Sequence, residues 1–369
     1  MQIEAVALRR VSMPLVRPFR TSFGTETDRD VVLVRVRTAE GDGWGECVAM
    51  GEPGYSSEYV EAAQLVLRKH LVPRLLSHDG VGAFDVSRVL APVRGHRMAK
   101  AALEMAVLDA ELRVRGQSLA DALGATKSAV ECGVSVGIPG SIDELLAQVS
   151  GYLVDGYKRI KLKIEPGWDI EPVRAVRDAF PTVPLQVDAN QAYTEGDAER
   201  LAKLDDCDLL LIEQPLAEDD LIGHAKLSRK IATPICLDES LHSAADTLTA
   251  IELGACSIVN IKAGRVGGYL EAVKVHDLCL SIGVPVWCGG MLETGLGRAA
   301  NLALAALPGF TLPGDTSASD RYFFTDITEP FVMHDGVLDV PTGPGLGVAP
   351  DIDILTKFTT AVEEIRRNF

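Results

Sequence analysis

The sequence predicts an α/β chain: an α+β domain over residues 1–125, a (β/α)8-type barrel over 126–325, and a closing segment over 326–369. Three observations lead there. From Glu131 onward, eight short apolar runs alternate with stretches of helical spacing. Five of those runs end on an ionisable residue, and the step between these residues is one repeat. Before Glu131 the order is strands first and helices after, which is the order of an α+β domain.

In the first part, residues 3–14 and 31–38 alternate as strands do, and residues 57–70 and 98–115 have helical spacing. The second of these helices, "AKAALEMAVLDAELR", is rich in alanine and suits tight packing. The apolar runs of the second part are "CGVSVGI", "RIKLKI", "PLQVDAN", "DLLLIEQP", "PICLDES", "SIVNIK", "VPVWCGG" and "FTLPGD". Helical segments such as "PVRAVRDAF" and "YLEAVKVHDLCLSIG" separate them. Eight such units in about 190 residues fit a compact barrel. The rival, a doubly wound open sheet, calls for a glycine-rich phosphate loop after its first strand, and "VSVGIPGSIDEL" matches that poorly. The last part holds "GVLDVPTGPGLGV" and a short terminal helix, which do not continue the repeat and are expected to pack back on the first domain.

Composition narrows the function. The 369 residues are 47% hydrophobic and carry a net charge of −16, which disfavours nucleic acid as a partner. No apolar run approaches the roughly 20 residues of a membrane span. The start, "MQIEAVALRRVSMPL", lacks a signal-peptide core. Seven cysteines are scattered singly, without a C-x-x-C pair, as buried thiols in a reducing compartment would be. A cytoplasmic protein acting on a small molecule is the expectation.

Lys163, Asp188, Glu213, Asp238 and Lys262 end successive runs at steps of 25, 25, 25 and 24 residues. Barrel active sites lie at the C-terminal ends of strands, so equal steps put these five groups on one rim. In "RIKLKI", the isoleucines and the leucine face the surrounding helices, and Lys161 and Lys163 face the interior. Three neighbouring carboxylates repel one another unless a cation joins them. Oxygen ligands suit Mg²⁺, with Mn²⁺ or another divalent ion as the alternative, and no histidine ends a strand as zinc would require. For any single acid, a helix cap or rim salt bridge is the competing role.

Lys163 and Lys262 flank the acids in strand order and face each other across the barrel mouth. Lys161 adds a like charge that lowers the pKa of Lys163, or else serves as a structural salt bridge. Arg265 stands three residues past Lys262. A carboxylate substrate held at such a site loses its α-proton to a lysine. Two opposed bases give racemisation, and one base with a leaving group gives β-elimination.

These residues resemble the enolase superfamily in its muconate lactonising subgroup, whose hallmarks are K-x-K (Lys161, Lys163), three carboxylates (Asp188, Glu213, Asp238) and an opposing lysine (Lys262). The resemblance spans the whole chain and implies a modified TIM barrel with an N-terminal α+β capping domain. "PFRTSFGT", "HRMAKAALEMAVLDAEL", "IKAGRVGGYLEA", "WCGGMLETGLGRA" and "LPGDTSASDRY" are similar to the o-succinylbenzoate synthase / N-succinylamino acid racemase family. The mandelate racemase branch uses a histidine base that is lacking here. Dipeptide epimerases carry an Asp-x-Asp, whereas Asp315 and Asp320 stand five apart.

The resemblance implies substrate contacts at Phe19 and Phe23 in a cap loop, Met50 and Tyr55 in a second cap loop, and Asn190 beside Asp188. It adds Gly289, Gly290 and Met291 after the seventh strand, and Asp315, Ser317 and Tyr322 around the eighth. Ordinary inter-domain core is the alternative for Phe19 and Met50, and a plain tight turn for the glycines. The implied activity is racemisation of N-acyl (N-succinyl) amino acids, with o-succinylbenzoate synthase and muconate-type cycloisomerase as alternatives, and the implied assembly is a homo-oligomer, an octamer being one form. A Schiff-base aldolase or a non-catalytic binding protein on the same scaffold has no use for three acids beside two lysines.

Overall fold

The computed structural model describes residues 1–367. Its N-terminal sheet is antiparallel, built from β1 (Ile3–Thr21), β2 (Gly24–Thr38) and β3 (Asp42–Cys47). The first two strands run further than their alternation suggested and form a long hairpin whose tip is residues 19–26. The third escaped the pattern because it is glycine-rich. A Cβ on Gly43 would fall 2.1 Å from the Ala106 carbonyl oxygen, and one on Gly45 2.0 Å from that of Ala102. The glycines thus let the alanine-rich helix Arg97–Arg115 lie directly against the strand.

Next comes a small antiparallel pair, β4 (Ala129–Glu131) with β12 (Val337–Asp339). Seven parallel strands follow: β5 (Gly133–Val136), β6 (Arg159–Lys163), β7 (Leu185–Asp188), β8 (Ile212–Glu213), β9 (Ile235–Leu237), β10 (Ile258–Ile261) and β11 (Val286–Cys288). They pair in chain order.

The eighth run, "FTLPGD", is not a strand. Pro313 has no N–H to give a ladder, and only single bridges tie the run to its neighbours, Val286 to Phe310 and Cys132 to Gly314. Those bridges nevertheless close the barrel. The Gly133 amide donates to the Gly314 carbonyl at 2.7 Å, and the Asp315 amide to that of Cys288 at 2.8 Å. The barrel is therefore seven regular strands and one irregular stave.

The expected terminal helix is Ile352–Phe358, but the chain then turns into a strand, β13 (Thr359–Arg366), which lies antiparallel on β1. Among the described residues no helix is long and apolar enough to cross a membrane.

Candidate active site

Strand register places the five groups read from the spacing. Lys163 on β6 stands beside Asp188 on β7, which stands beside Glu213 on β8. Asp238 and Lys262 each follow the last residue of their strands. All five side chains are buried. Lys163 Nζ donates to Asp188 Oδ2 at 2.7 Å and to Asn190 Oδ1 at 2.6 Å. Lys262 Nζ donates to Asp238 Oδ2 at 2.7 Å and lies 4.4 Å from the centre of the Tyr55 ring. The Tyr55 hydroxyl donates to Asp238 Oδ1 at 3.0 Å, and Arg265 also donates to that oxygen.

Lys161 has a different setting. Its Nζ lies 2.6 Å from Asp315, 3.0 Å from Glu213 and 3.3 Å from Asp188, and 4.7 Å from the centre of the Trp287 ring. Burial lowers its pKa, but Asp315 and Glu213 outweigh that and raise it. Three carboxylates surround the Lys161 ammonium, and the salt-bridge alternative describes its contacts. Arg265 likewise serves Asp238 and the carbonyls of Leu241 and Asn260.

The acids are crowded. Burial and then the Asp188 carboxylate push Glu213 up to about 8. Burial also works on Asp188 and Asp238, yet the facing lysines hold both below the usual carboxylate range. Glu239 is raised by burial and by Asp238, and its Oε2 has no partner. Among the described residues, no three His, Cys, Asp or Glu side chains converge in metal-holding geometry, because each site carboxylate is turned onto an ammonium. In chemistry the set fits a divalent cation: hard oxygen donors on adjacent strands, mutual repulsion felt at Glu213, and an orphaned carboxylate oxygen next to Asp238.

The cavity between this rim and the cap is lined by Lys161, Lys163, Asn190 and Lys262 from the barrel and by Phe19, Phe23, Met50 and Tyr55 from the cap. Gly290, Met291, Asp315 and Tyr322 complete the expected set. Two expected residues lie elsewhere. Gly289 faces the barrel interior, where a Cβ would fall 2.3 Å from Asn260 Oδ1. Ser317 is turned onto Arg298, which donates to its hydroxyl at 3.0 Å.

Thr21, Glu26, Ser135 and Leu292 also line the cavity and were not read from the sequence. Ser135 had a signal, since it alternates inward in "CGVSVGI" and pairs in register with Lys161. Glu239 and Asn260 had weaker ones, as neighbours of Asp238 and Lys262. Asn190 Nδ2 donates to Glu239 Oε1 at 3.0 Å, and Asn260 Nδ2 to Glu213 Oε1 at 2.7 Å.

Comparison with known proteins agrees with this arrangement. Residues 3–124 match the family described as mandelate racemase / muconate lactonizing enzyme, N-terminal domain, and residues 144–354 match enolase C-terminal domain-like proteins. An N-succinylamino acid racemase of Amycolatopsis sp is 64% identical over 98% of both chains. An o-succinylbenzoate synthase of Geobacillus kaustophilus is 50% identical over 97% of this chain and 96% of its own. A solved enolase superfamily member from Listeria innocua superposes with a TM-score of 0.95 at 40% identity, covering all of both chains. The chain belongs to the enolase superfamily, in the family of the N-succinylamino acid racemases and o-succinylbenzoate synthases.

Proposed function

We propose that this protein is a metal-dependent racemase of N-acyl amino acids, N-succinyl amino acids included, that works by α-proton abstraction through an enediolate. The observation that carries the reading is the placement of Lys163 and Lys262. They stand on either side of three carboxylates and line one cavity. Asp188, Glu213 and Asp238 would hold Mg²⁺. When bound, the ion would supply positive charge against the second negative charge that develops on a deprotonated carboxylate substrate.

The chain's own residues do the rest. Lys163 takes the α-proton from one side, with Asn190 Oδ1 fixing its Nζ. Lys262, held between Asp238 and the Tyr55 ring, returns a proton from the other. The cap residues Phe19, Phe23 and Met50 exclude water. Lys161, Asp315 and Arg159 form a buried network beneath, in which Asp315 is held down at about 2 by the two cations against the opposing effect of burial.

The o-succinylbenzoate synthase reaction is the second reading, favoured by the 50% identity to a synthase. It uses the same enediolate, with β-elimination in place of reprotonation. On the same reading residues 1–125 act as cap, 126–325 as barrel and 326–369 as a returning segment. The last two residues of that segment lie outside the described ones. The assembly is a homo-oligomer, which sedimentation measures.

Exchange in D₂O tests the two-lysine assignment. Lys262→Ala should stop racemisation, with a loss of about 10²–10⁴ in rate, yet still exchange the α-proton of one enantiomer through Lys163. Lys163→Ala should exchange only the other. Equal exchange of both enantiomers by either variant would refute it.

A further inference from the structure

The two lysines of the rim are held by different parts of the molecule. Lys163 Nζ donates to Asp188 and Asn190, which both belong to the barrel. Lys262 Nζ donates to Asp238 Oδ2 at 2.7 Å and to the Tyr55 hydroxyl at 3.3 Å, and it lies over the Tyr55 ring. That hydroxyl in turn donates to Asp238 Oδ1 at 3.0 Å. Ammonium, carboxylate and phenol thus close a triangle, and one of its corners comes from the cap. Tyr55 reaches this place from a loop whose ends are pinned within the cap. The Val60 amide donates to the Met50 carbonyl at 2.9 Å, and the Glu58 carboxylate accepts from the Met98 amide at 3.0 Å, at the start of the helix Arg97–Arg115. Gly54 lies against Phe23, since a Cβ there would fall 2.7 Å from the Phe23 ring. Between Gly51 and Tyr59, Tyr55 is the one buried residue. Among the described residues, every hydrogen bond from residues 51–59 to the barrel is made by Tyr55.

A lysine chain has many rotamers, and holding its ammonium in one place costs entropy that contacts must offset. Lys262 and Tyr55 are both buried, and an ammonium over an aromatic ring out of water is drawn to it. We propose that Tyr55 is a positioning residue for Lys262. It aims that ammonium at its own face of the substrate, and so ties proton transfer on the Lys262 face, but not on the Lys163 face, to the seated cap loop. The inference rests on the two-lysine racemase reading and deepens it by giving Tyr55 a part in the proton chemistry.

The test is α-proton exchange in D₂O, followed by NMR from each enantiomer of N-succinylmethionine with the full-length Mg²⁺-loaded protein. Lys262→Ala and Lys163→Ala mark which enantiomer each lysine deprotonates. Tyr55→Phe removes the hydroxyl contact, and Tyr55→Leu removes the ring as well. Exchange of the Lys262 enantiomer should fall about threefold in Tyr55→Phe and roughly tenfold or more in Tyr55→Leu. Racemisation should fall with it, because each turnover uses Lys262 once. Exchange of the Lys163 enantiomer with retention should not fall. The loss should lie mainly in kcat, because the aim of a base matters in the transition state. Added to Lys163→Ala, Tyr55→Leu should lower the remaining exchange by the same factor, and added to Lys262→Ala it should change nothing. A damaged metal site or a lost substrate contact would slow both enantiomers alike. That result overturns the assignment, as does full exchange of the Lys262 enantiomer in both variants. If Tyr55→Leu does not fold, Tyr55→Phe decides: a one-sided loss supports the assignment, and an equal loss or none overturns it. Equal losses in an enzyme whose wild type racemises the substrate refute the positioning and leave the racemase reading standing. A wild type that exchanges neither enantiomer refutes both.

Discussion

Lys161 and Lys163 are two residues apart on one strand and face the same interior, yet their surroundings differ. Lys161 is surrounded by Asp315, Glu213, Asp188 and the Trp287 ring, whereas Lys163 meets one carboxylate and one amide oxygen at the cavity wall. Removing one partner from a buried charge network leaves the others uncompensated, at a cost of about 3–5 kcal/mol. Lys161→Ala should therefore lose stability on that scale in urea denaturation. Lys163→Ala should lose turnover with much less effect on unfolding, since Asp188 keeps Lys161 within 3.3 Å. Equal destabilisation by both would contradict this division. The carboxylates give a second expectation. Asp188→Asn, Glu213→Gln and Asp238→Asn should each weaken Mg²⁺ binding in calorimetric titration and abolish turnover, and full activity after exhaustive EDTA treatment would exclude the metal role. At this scale the sequence was most informative where chemistry repeats at a fixed step. It was silent about the link from Asn190 to Glu239 and about Glu26, because both depend on which strands become neighbours.

At the scale of elements, patterns were legible where alternation was clean and failed where a partner decides the structure. The run "FTLPGD" looked like a strand, but Pro313 interrupts its ladder and leaves single bridges. No strand was expected at β13, because its partner, β1, lies some 350 residues away in sequence, as the Arg9–Thr359 contact shows. β3 was missed because glycine has low strand propensity, and the reason for glycine there is the helix across from it. That contact is testable. A Cβ at Gly45 would sit 2.0 Å from a backbone oxygen that cannot rotate away. Gly45→Val should force the helix Arg97–Arg115 off the sheet and cost at least the 1–3 kcal/mol typical of overpacking. Thermal melts should show a large loss, while Gly51→Val, at a site with nothing within 4 Å of the added Cβ, should not. Similar melts for the two would mean that the close approach is not structural.

Across the whole molecule, cap and barrel are joined by buried carboxylates as well as by apolar contact. Glu46 on β3 accepts from the Thr294 amide at 3.0 Å, the Thr294 hydroxyl at 2.6 Å and the Gly297 amide at 3.0 Å, so the cap supplies an acid to the N-terminus of the barrel helix Gly295–Ala305. Glu104 accepts from the Leu270 amide at 3.0 Å and does the same for the helix Tyr269–Ile282. Burial pushes each of these acids up to about 7 from 4.5, even though the helix ends favour the ionised form. The consequence for docking has a definite sign. Between about 4.5 and about 7 the folded protein holds protons that the unfolded chain has released, so stability falls as pH rises through that window and levels off above it. Each shift corresponds to about 3 kcal/mol. Glutamine keeps a carbonyl to accept from the helix amides but does not titrate. The double variant Glu46→Gln/Glu104→Gln should therefore match wild type most closely near pH 5 and gain on it toward pH 8, read as the difference between their denaturation midpoints. Parallel curves across that range would show that the two acids are ionised on both sides of the transition. In that case the helix N-termini, rather than burial, would set the charge state at the cap–barrel interface.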